Sequence, residues 1–284
     1  MEKIGLVLEG GGMRGAYTAG VLHWLLQEKI EFDYIVGISS GALYGGMFAL
    51  GKGETLKKSA INVAADKRNV GIKSIMAEKT LVGYDFLYNA VTKDLDYPLT
   101  EINTIPGKFD IGVYDIAAEK TIWINKEALA KEPLFIKAAC TLPVAGRAVW
   151  IDGRKYMDGG ITTMIPVQKS IDEGCTRHIV VTTKSADYVR KDQGFAQKML
   201  LRTVYRKSPK LVQDFESRRD VYYEERALID KLVDEGKAAY IYPTQEVGVG
   251  RFKGTEAQFE DLFKMAHDDC DARRAEIMAM VSKD

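Results

Sequence analysis

Within its first forty residues the chain carries two short apolar runs, Ile4-Gly5-Leu6-Val7-Leu8, ended by Glu9-Gly10-Gly11-Gly12, and Tyr34-Ile35-Val36, ended by Gly37. Between them Ala16, Ala19, Val21, Leu22, Leu25 and Leu26 recur at helical spacing. Strand, glycine turn, helix and strand in so short a stretch leave few folds open, because such a crossover joins parallel strands and is right-handed. An α/β domain follows. The glycines at 10–12 and at 37 then fall at the C-terminal edge of the sheet, where open α/β sheets bind ligands, and both turns face one crevice.

The second of these turns reads Gly37-Ile38-Ser39-Ser40-Gly41 and leads into a stretch that can continue as a helix to Leu50. A serine between two glycines at a strand-to-helix turn is the pattern of a nucleophile elbow, in which the sharp turn lifts the hydroxyl out of the sheet. Ser39 is the candidate nucleophile. Glycine and serine are common turn residues, so the pattern needs an oxyanion site, a base and an apolar pocket to support it.

The first turn, Gly10-Gly11-Gly12-Met13-Arg14-Gly15, fits two templates. As G-x-G-x-x-G after a strand it could cradle a dinucleotide pyrophosphate at the helix N-terminus. That use needs an acidic residue at the end of the second strand. Glu31 and Asp33 precede the strand instead, and Ser39 occupies its end. As an oxyanion loop it lets backbone N–H groups converge where negative charge develops, each worth ~3 kcal/mol in the transition state. Arg14 stands in the first turn of a helix, where a cation opposes the macrodipole unless an anion sits nearby; a salt bridge explains it as well as a direct role.

A serine nucleophile needs a base, and the chain has three histidines. His23 lies two turns into the first helix, His178 precedes a later strand and so lies at the far edge, and His267 lies in a polar stretch. None suits the crevice, which leaves a carboxylate. Asp152-Gly153 runs into Arg154-Lys155 and suits a solvated turn. Asp158-Gly159-Gly160 follows Tyr156-Met157 and leads through Ile161 towards Pro166, so it ends a strand among apolar residues. Asp158 is the better base, since desolvation would raise a carboxyl pKa from ~3.9 towards the range a serine proton requires.

The rest of the chain is read more coarsely. Residues 54–103 form a helical cover that could line an acyl pocket, 109–114 and 121–124 an antiparallel hairpin, 133–140 a short helix and 179–183 a parallel-type strand. Beyond Phe195 the chain is largely helical apart from 238–242. Residues 195–212 hold Lys198, Arg202, Arg206, Lys207 and Lys210 among apolar side chains, a basic amphipathic helix that offers a peripheral contact to anionic lipid or simply a solvated face. Forty basic and forty acidic residues cancel, so no global field favours nucleic acid. Three widely separated cysteines argue against a disulfide framework and for a reducing compartment. Metal-ligand spacing is absent and no cofactor is expected. With no room for a signal peptide ahead of Ile4 and no run long enough to span a bilayer, the expected location is the cytoplasm, with a peripheral place on the inner membrane surface left open.

Taken together and in this order, Gly10 to Gly15, Gly37 to Gly41 and Asp158-Gly159-Gly160 resemble the motifs of the patatin-like phospholipase family. Ala138-Ala139-Cys140-Thr141-Leu142-Pro143 is similar to the segment that precedes its Asp-Gly motif, and Pro166-Val167 matches its following proline. The resemblance covers about residues 4–184. It implies a three-layer α/β/α sandwich with a mostly parallel central sheet, and a lipid acyl hydrolase with a Ser39–Asp158 dyad and no metal. Gly10, Gly11, Gly12 and Arg14 match its oxyanion loop; Gly15, Gly37, Gly41, Gly159 and Gly160 flank the motifs. Cys140 stands where a serine is frequent, and Thr163-Met164 replace frequent asparagines, departures that bear on the substrate more than on the dyad. The expected organisation is a catalytic core over 1–184 and a mainly helical extension over 185–284 packed on it. The expected substrates are phospholipids or lysophospholipids; a non-catalytic nucleotide- or lipid-binding module, or an acyltransferase with the same dyad, are the alternatives.

Overall fold

The computed structural model describes residues 2–246 and 248–282. Strand β1 (Ile4–Leu8) passes through the glycine loop into α1 (Gly15–Gln27), which returns to β2 (Tyr34–Gly37) and α2 (Ser40–Ala49). The cover follows as α3 (Gly53–Lys58), α4 (Ile72–Glu78) and α5 (Tyr84–Asn89) with short irregular helical turns. The hairpin β3 (Lys108–Asp115) and β4 (Lys120–Asn125) leads through α6 (Lys126–Lys131) and α7 (Leu134–Cys140) to β5 (Val149–Ile151) and β6 (Arg154–Asp158). Then come α8 (Val167–Asp172), β7 (Arg177–Val181), α9 (Phe195–Val204), α10 (Pro209–Glu216), α11 (Arg218–Asp234), β8 (Ala238–Ile241), α12 (Glu256–Ala272) and α13 (Arg274–Val281).

All eight strands join one sheet of order β5-β6-β3-β2-β1-β7-β8, with β4 on the other edge of β3. The strands β8, β7, β1, β2 and β3 run parallel, and the antiparallel pairs are confined to β3 with β4 and β6 and to β5 with β6. Alternating side chains serve two cores. Leu6, Leu8, Ile35, Ile111 and Ile179 pack with α1, α2, α7 and α12 on one face. Val7, Val36 and Val180 pack with Val167 of α8 and with Tyr222, Ile229 and Leu232 of α11 on the other. Burial of both faces is the reason the central strands read as unbroken apolar runs, and it makes the three layers expected from the resemblance.

Two local expectations are corrected. His178 lies inside β7, paired with Gly5, instead of before the strand. Residues 195–212 are two helices and not one, because α9 ends at Val204 and Pro209 starts α10, where a missing N–H is tolerated. The C-terminal part is also more than an outer layer: β8 extends the sheet beside β7, and α12 lies along α1.

Candidate active site

Ser39 holds φ 55° and ψ −125°, a backbone region that costs a non-glycine residue about 1–3 kcal/mol. Its neighbours hold it there. Gly41 donates to the carbonyl of Ile38 at 2.8 Å, and Ala42 and Leu43 donate to that of Ser39 at 2.9 and 3.1 Å. A β-carbon on Gly37 would meet the backbone of Gly41 at 2.5 Å, and one on Gly41 would meet the carbonyl oxygen of Leu8 at 2.6 Å. Both glycines are therefore required by close backbone approach, and the elbow is wedged between β1 and β2.

The register of β3 brings Asp158 to the same place. Gly37, the last residue of β2, pairs with Ile111, and Asp158, the last residue of β6, pairs with Val113. Ile111 and Val113 both pair with β4 on the opposite edge, so β2 and β6 share one edge of β3 and end towards each other. Their partners on β3 are two positions apart, ~7 Å of strand rise. A parallel strand and an antiparallel strand thus deliver their C-terminal residues to one point, although Ser39 and Asp158 are 119 positions apart in the chain.

The Asp158 carboxyl is almost fully buried, 1% exposed. Its Oδ1 accepts the N–H of Gly160 at 2.7 Å, while Oδ2 is buried with no hydrogen-bond partner among the described residues. Desolvation pushes its pKa from 3.8 to about 6, against the lowering effect of the Ser39 side chain, the Gly160 N–H, Arg218 and Arg251. Such a group is ionised at neutral pH and is a better proton acceptor than a solvated aspartate.

Within the glycine loop the N–H groups are unequally committed. Gly10 donates to Met164 at 3.1 Å and Gly11 to the hydroxyl of Ser40 at 2.9 Å. Gly12 (φ 59°) lines the cleft with Ser39, and neither its N–H nor that of Ser40 has an intramolecular acceptor among the described residues. Gly15 packs against the Ser40 side chain. Arg14 lines a neighbouring cavity with Thr183, Lys184 and Tyr188, not the cleft of Ser39. Beneath the loop, buried Glu9 accepts from the N–H of Thr183 at 2.6 Å and pairs with buried Lys184.

The cleft itself encloses about 570 Å³ including its open mouth, and Leu43, Val70, Val82, Tyr84, Leu87 and Leu142 form its apolar wall. Val70, Val82 and Leu87 come from the helical cover, so that segment supplies one side of the pocket. Cys140 also faces the cleft, its Sγ 3.5 Å from the carbonyl oxygen of Ser39, and burial holds it as a thiol with a pKa far above the usual thiol range.

The histidines lie elsewhere. His23 and His267 contact each other at 3.1 Å on the α1–α12 seam beside Phe263, and His178 meets the hydroxyl of Ser170 at 3.0 Å, its pKa pushed down to about 4 by burial. His178 sits ~10 Å of strand rise from the crevice edge, three residues before Val181. Sequence reasoning missed Arg218 and Arg251, which act on the Asp158 carboxyl from the C-terminal region. One signal was present: Arg218 and Arg219 open α11, cations at a helix N-terminus as Arg14 is.

The family model of patatin-like phospholipases matches residues 6–170, which include Ser39, Asp158 and the glycine loop. The chain belongs to that family. A second model, a domain of unknown function, matches residues 208–282. Among curated relatives, the uncharacterized protein YjjU of Escherichia coli is 27% identical over 68% of this chain and 55% of its own length. Lysophospholipase NTE1 of Scheffersomyces stipitis is 28% identical over 66% of this chain and 12% of its own. The chain therefore spans little more than half of the first relative and a small part of the second. VipD of Legionella pneumophila shares the fold, with TM-score 0.53 over 99% of this chain and 67% of that one at 13% identity.

Proposed function

We propose that this patatin-like protein is a lipid hydrolase that cleaves fatty acyl esters of phospholipids or lysophospholipids through an acyl-enzyme on Ser39. In this reading Asp158 Oδ2 takes the Ser39 proton as Oγ attacks the ester carbonyl. The free N–H groups of Gly12 and Ser40 stabilise the oxyanion, and that of Gly11 joins them if the Ser40 hydroxyl turns away. The proton then passes to the departing alcohol oxygen. A water, deprotonated by the same carboxylate, releases the fatty acid and regenerates Ser39. The acyl chain lies against Leu43, Val82 and Leu87. One observation carries this reading: a buried carboxylate oxygen without a hydrogen-bond partner among the described residues, near a serine held in a strained turn that lines an apolar cleft. The similarity to lysophospholipase NTE1 supports the substrate class.

A fluorophosphonate should label the native protein on Ser39 and leave Ser39→Ala unlabelled, and Ser39→Ala should lose acyl-ester turnover by at least about 10³-fold. Equal labelling of both would overturn the assignment. Transfer of the acyl group to an added alcohol in preference to water would make the same site an acyltransferase.

We also propose a peripheral lipid contact through α9, where Phe195 (81% exposed), Met199, Leu200 and Val204 stand out beside Lys198. Of the nearby cations, Arg202 and Lys210 are paired with Glu216 and Asp214. Among the described residues no helix is long and apolar enough to cross a membrane. Free Cys140, Cys175 and Cys270 support a place in the cytoplasm, which fractionation can test.

A further inference from the structure

Beside the cleft lies a second cavity, about 540 Å³ including its open mouth, whose walls include Tyr188, Arg190, Arg218 and Arg251. Arg251 also lines the cleft of Ser39, so the two cavities share this residue. The Nη2 of Arg218 reaches to 3.7 Å from the position a β-carbon would take on Gly160, beside the Asp158 carboxyl.

These three arginines are an unusual group. Arg190 and Arg218 are buried, 9% and 6% exposed, and Arg218 Nε is buried without a hydrogen-bond partner among the described residues. Among the described residues none of the three forms an ion pair. The carboxylates at the cavity rim are engaged elsewhere, Asp192 with Arg219 at 3.2 Å and Glu216 with Arg202 at 2.8 Å. Glu225, the other acid that acts on Arg218, accepts the N–H groups of Met164 and Ile165, and burial pushes its pKa up to about 8. Arg190 and Arg251 both disfavour the charge on Arg218. Aromatic faces hold two of the guanidinium groups in place, Phe215 under Arg218 at 4.6 Å and Tyr222 under Arg190 at 5.4 Å. Asp158 favours the charge on Arg218 and on Arg251, and it is shared with Ser39. Buried cations without partners are stable only where an anion completes the site, and guanidinium forks suit phosphate oxygens.

We propose that Arg190, Arg218 and Arg251 form an anion subsite that holds the phosphate of the substrate's head group while its acyl chain occupies the apolar cleft. The inference rests on the hydrolase reading and narrows it: phosphate-bearing acyl esters are preferred over neutral glycerides. It also gives a role to the region 208–282, which supplies Arg218 and Arg251.

The test compares a lysophospholipid and a monoacylglycerol of the same acyl chain on the full chain. Arg190→Gln and Arg218→Gln should each lower the ratio of kcat/KM for the phosphate ester to that for the neutral ester by at least 10-fold, chiefly through KM, and Arg190→Lys should recover part of it. An unmoved ratio in both glutamine variants overturns the head-group assignment. A second arm titrates inorganic phosphate and glycerol phosphate calorimetrically into Ser39→Ala protein. Saturable binding that Arg190→Gln weakens at least 10-fold supports the subsite, and absence of saturable binding overturns it. Phosphate binding with an unmoved ratio makes it a site for a free anion instead. If the wild type cleaves neither ester, the hydrolase reading falls while the binding arm still decides the subsite.

Discussion

Replacing Asp158 by asparagine should raise stability above pH 6 while removing activity. The native pKa of about 6 lies above the unfolded value of 3.8, so between those two pH values the folded chain binds more protons than the unfolded one. Stability contributed at this position is therefore greatest below pH 4, falls as pH rises through 6, and is level beyond it. The gap between the two pKa values corresponds to roughly 3 kcal/mol, without discount for solvent because the carboxyl is buried. Asparagine carries no charge at any pH and its Oδ1 can still accept the Gly160 N–H, so it resembles the protonated aspartic acid. Urea unfolding of wild type and Asp158→Asn should then give equal stabilities near pH 4. The variant should be more stable by about 3 kcal/mol at pH 8, equivalent to about 6–10 °C in Tm. A difference that does not change between pH 4 and pH 8, or a less stable variant at pH 8, would refute the claim that this carboxyl is ionised in a desolvated site. Loss of turnover in the same protein keeps the two consequences together: the charge that destabilises the fold is the one proposed to accept the serine proton.

Other consequences are open to direct measurement. If Asp158 must be ionised to act, kcat/KM for an acyl ester should rise tenfold per pH unit below about 6 and level off above it; a profile flat from pH 5 to 8 would point to another base. Gly41→Ala places a methyl group 2.6 Å from the carbonyl oxygen of Leu8, so the elbow must shift, with an expected loss of about 2–4 kcal/mol in urea unfolding and of fluorophosphonate labelling together. Phe195→Ser with Leu200→Ser should reduce sedimentation with anionic vesicles several-fold and leave hydrolysis of a soluble ester intact; unchanged sedimentation would remove α9 as the contact.

Local sequence signals located most of what is local in this protein. The run from Ile4 to Leu8, the helical spacing after Gly15 and the second run from Tyr34 define a parallel unit, since alternation, glycine turns and crossover handedness are properties of neighbouring residues. The elbow was legible for the same reason, because only a narrow set of residues fits a turn with a backbone passing within contact distance. Asp158 was legible as the end of an apolar strand, and the poor siting of three histidines could be argued from their place along helices and strands. The fate of individual donors was not: Gly10 and Gly12 look alike in the loop, yet one N–H is given to Met164 and the other has no acceptor among the described residues.

The tertiary structure decided what depends on distant registers. Nothing near Ser39 or Asp158 in sequence states that β2 and β6 share one edge of β3 and end two residues apart on it; that follows from which strands pair, a choice made by the whole sheet. Nor does the polar stretch around Arg218, or the loop that carries Arg251, announce that its guanidinium will act on the Asp158 carboxyl. Helix period and composition mark a face as polar, but whether that face meets water or another polar cavity is settled by packing of α11 and of the loop before α12 against the sheet. The sequence by itself determined the class of fold and the two reacting side chains proposed for it. Only the folded chain decided their separation, the acidity of the carboxyl and the charge that surrounds it, because those depend on burial and on partners more than fifty residues away.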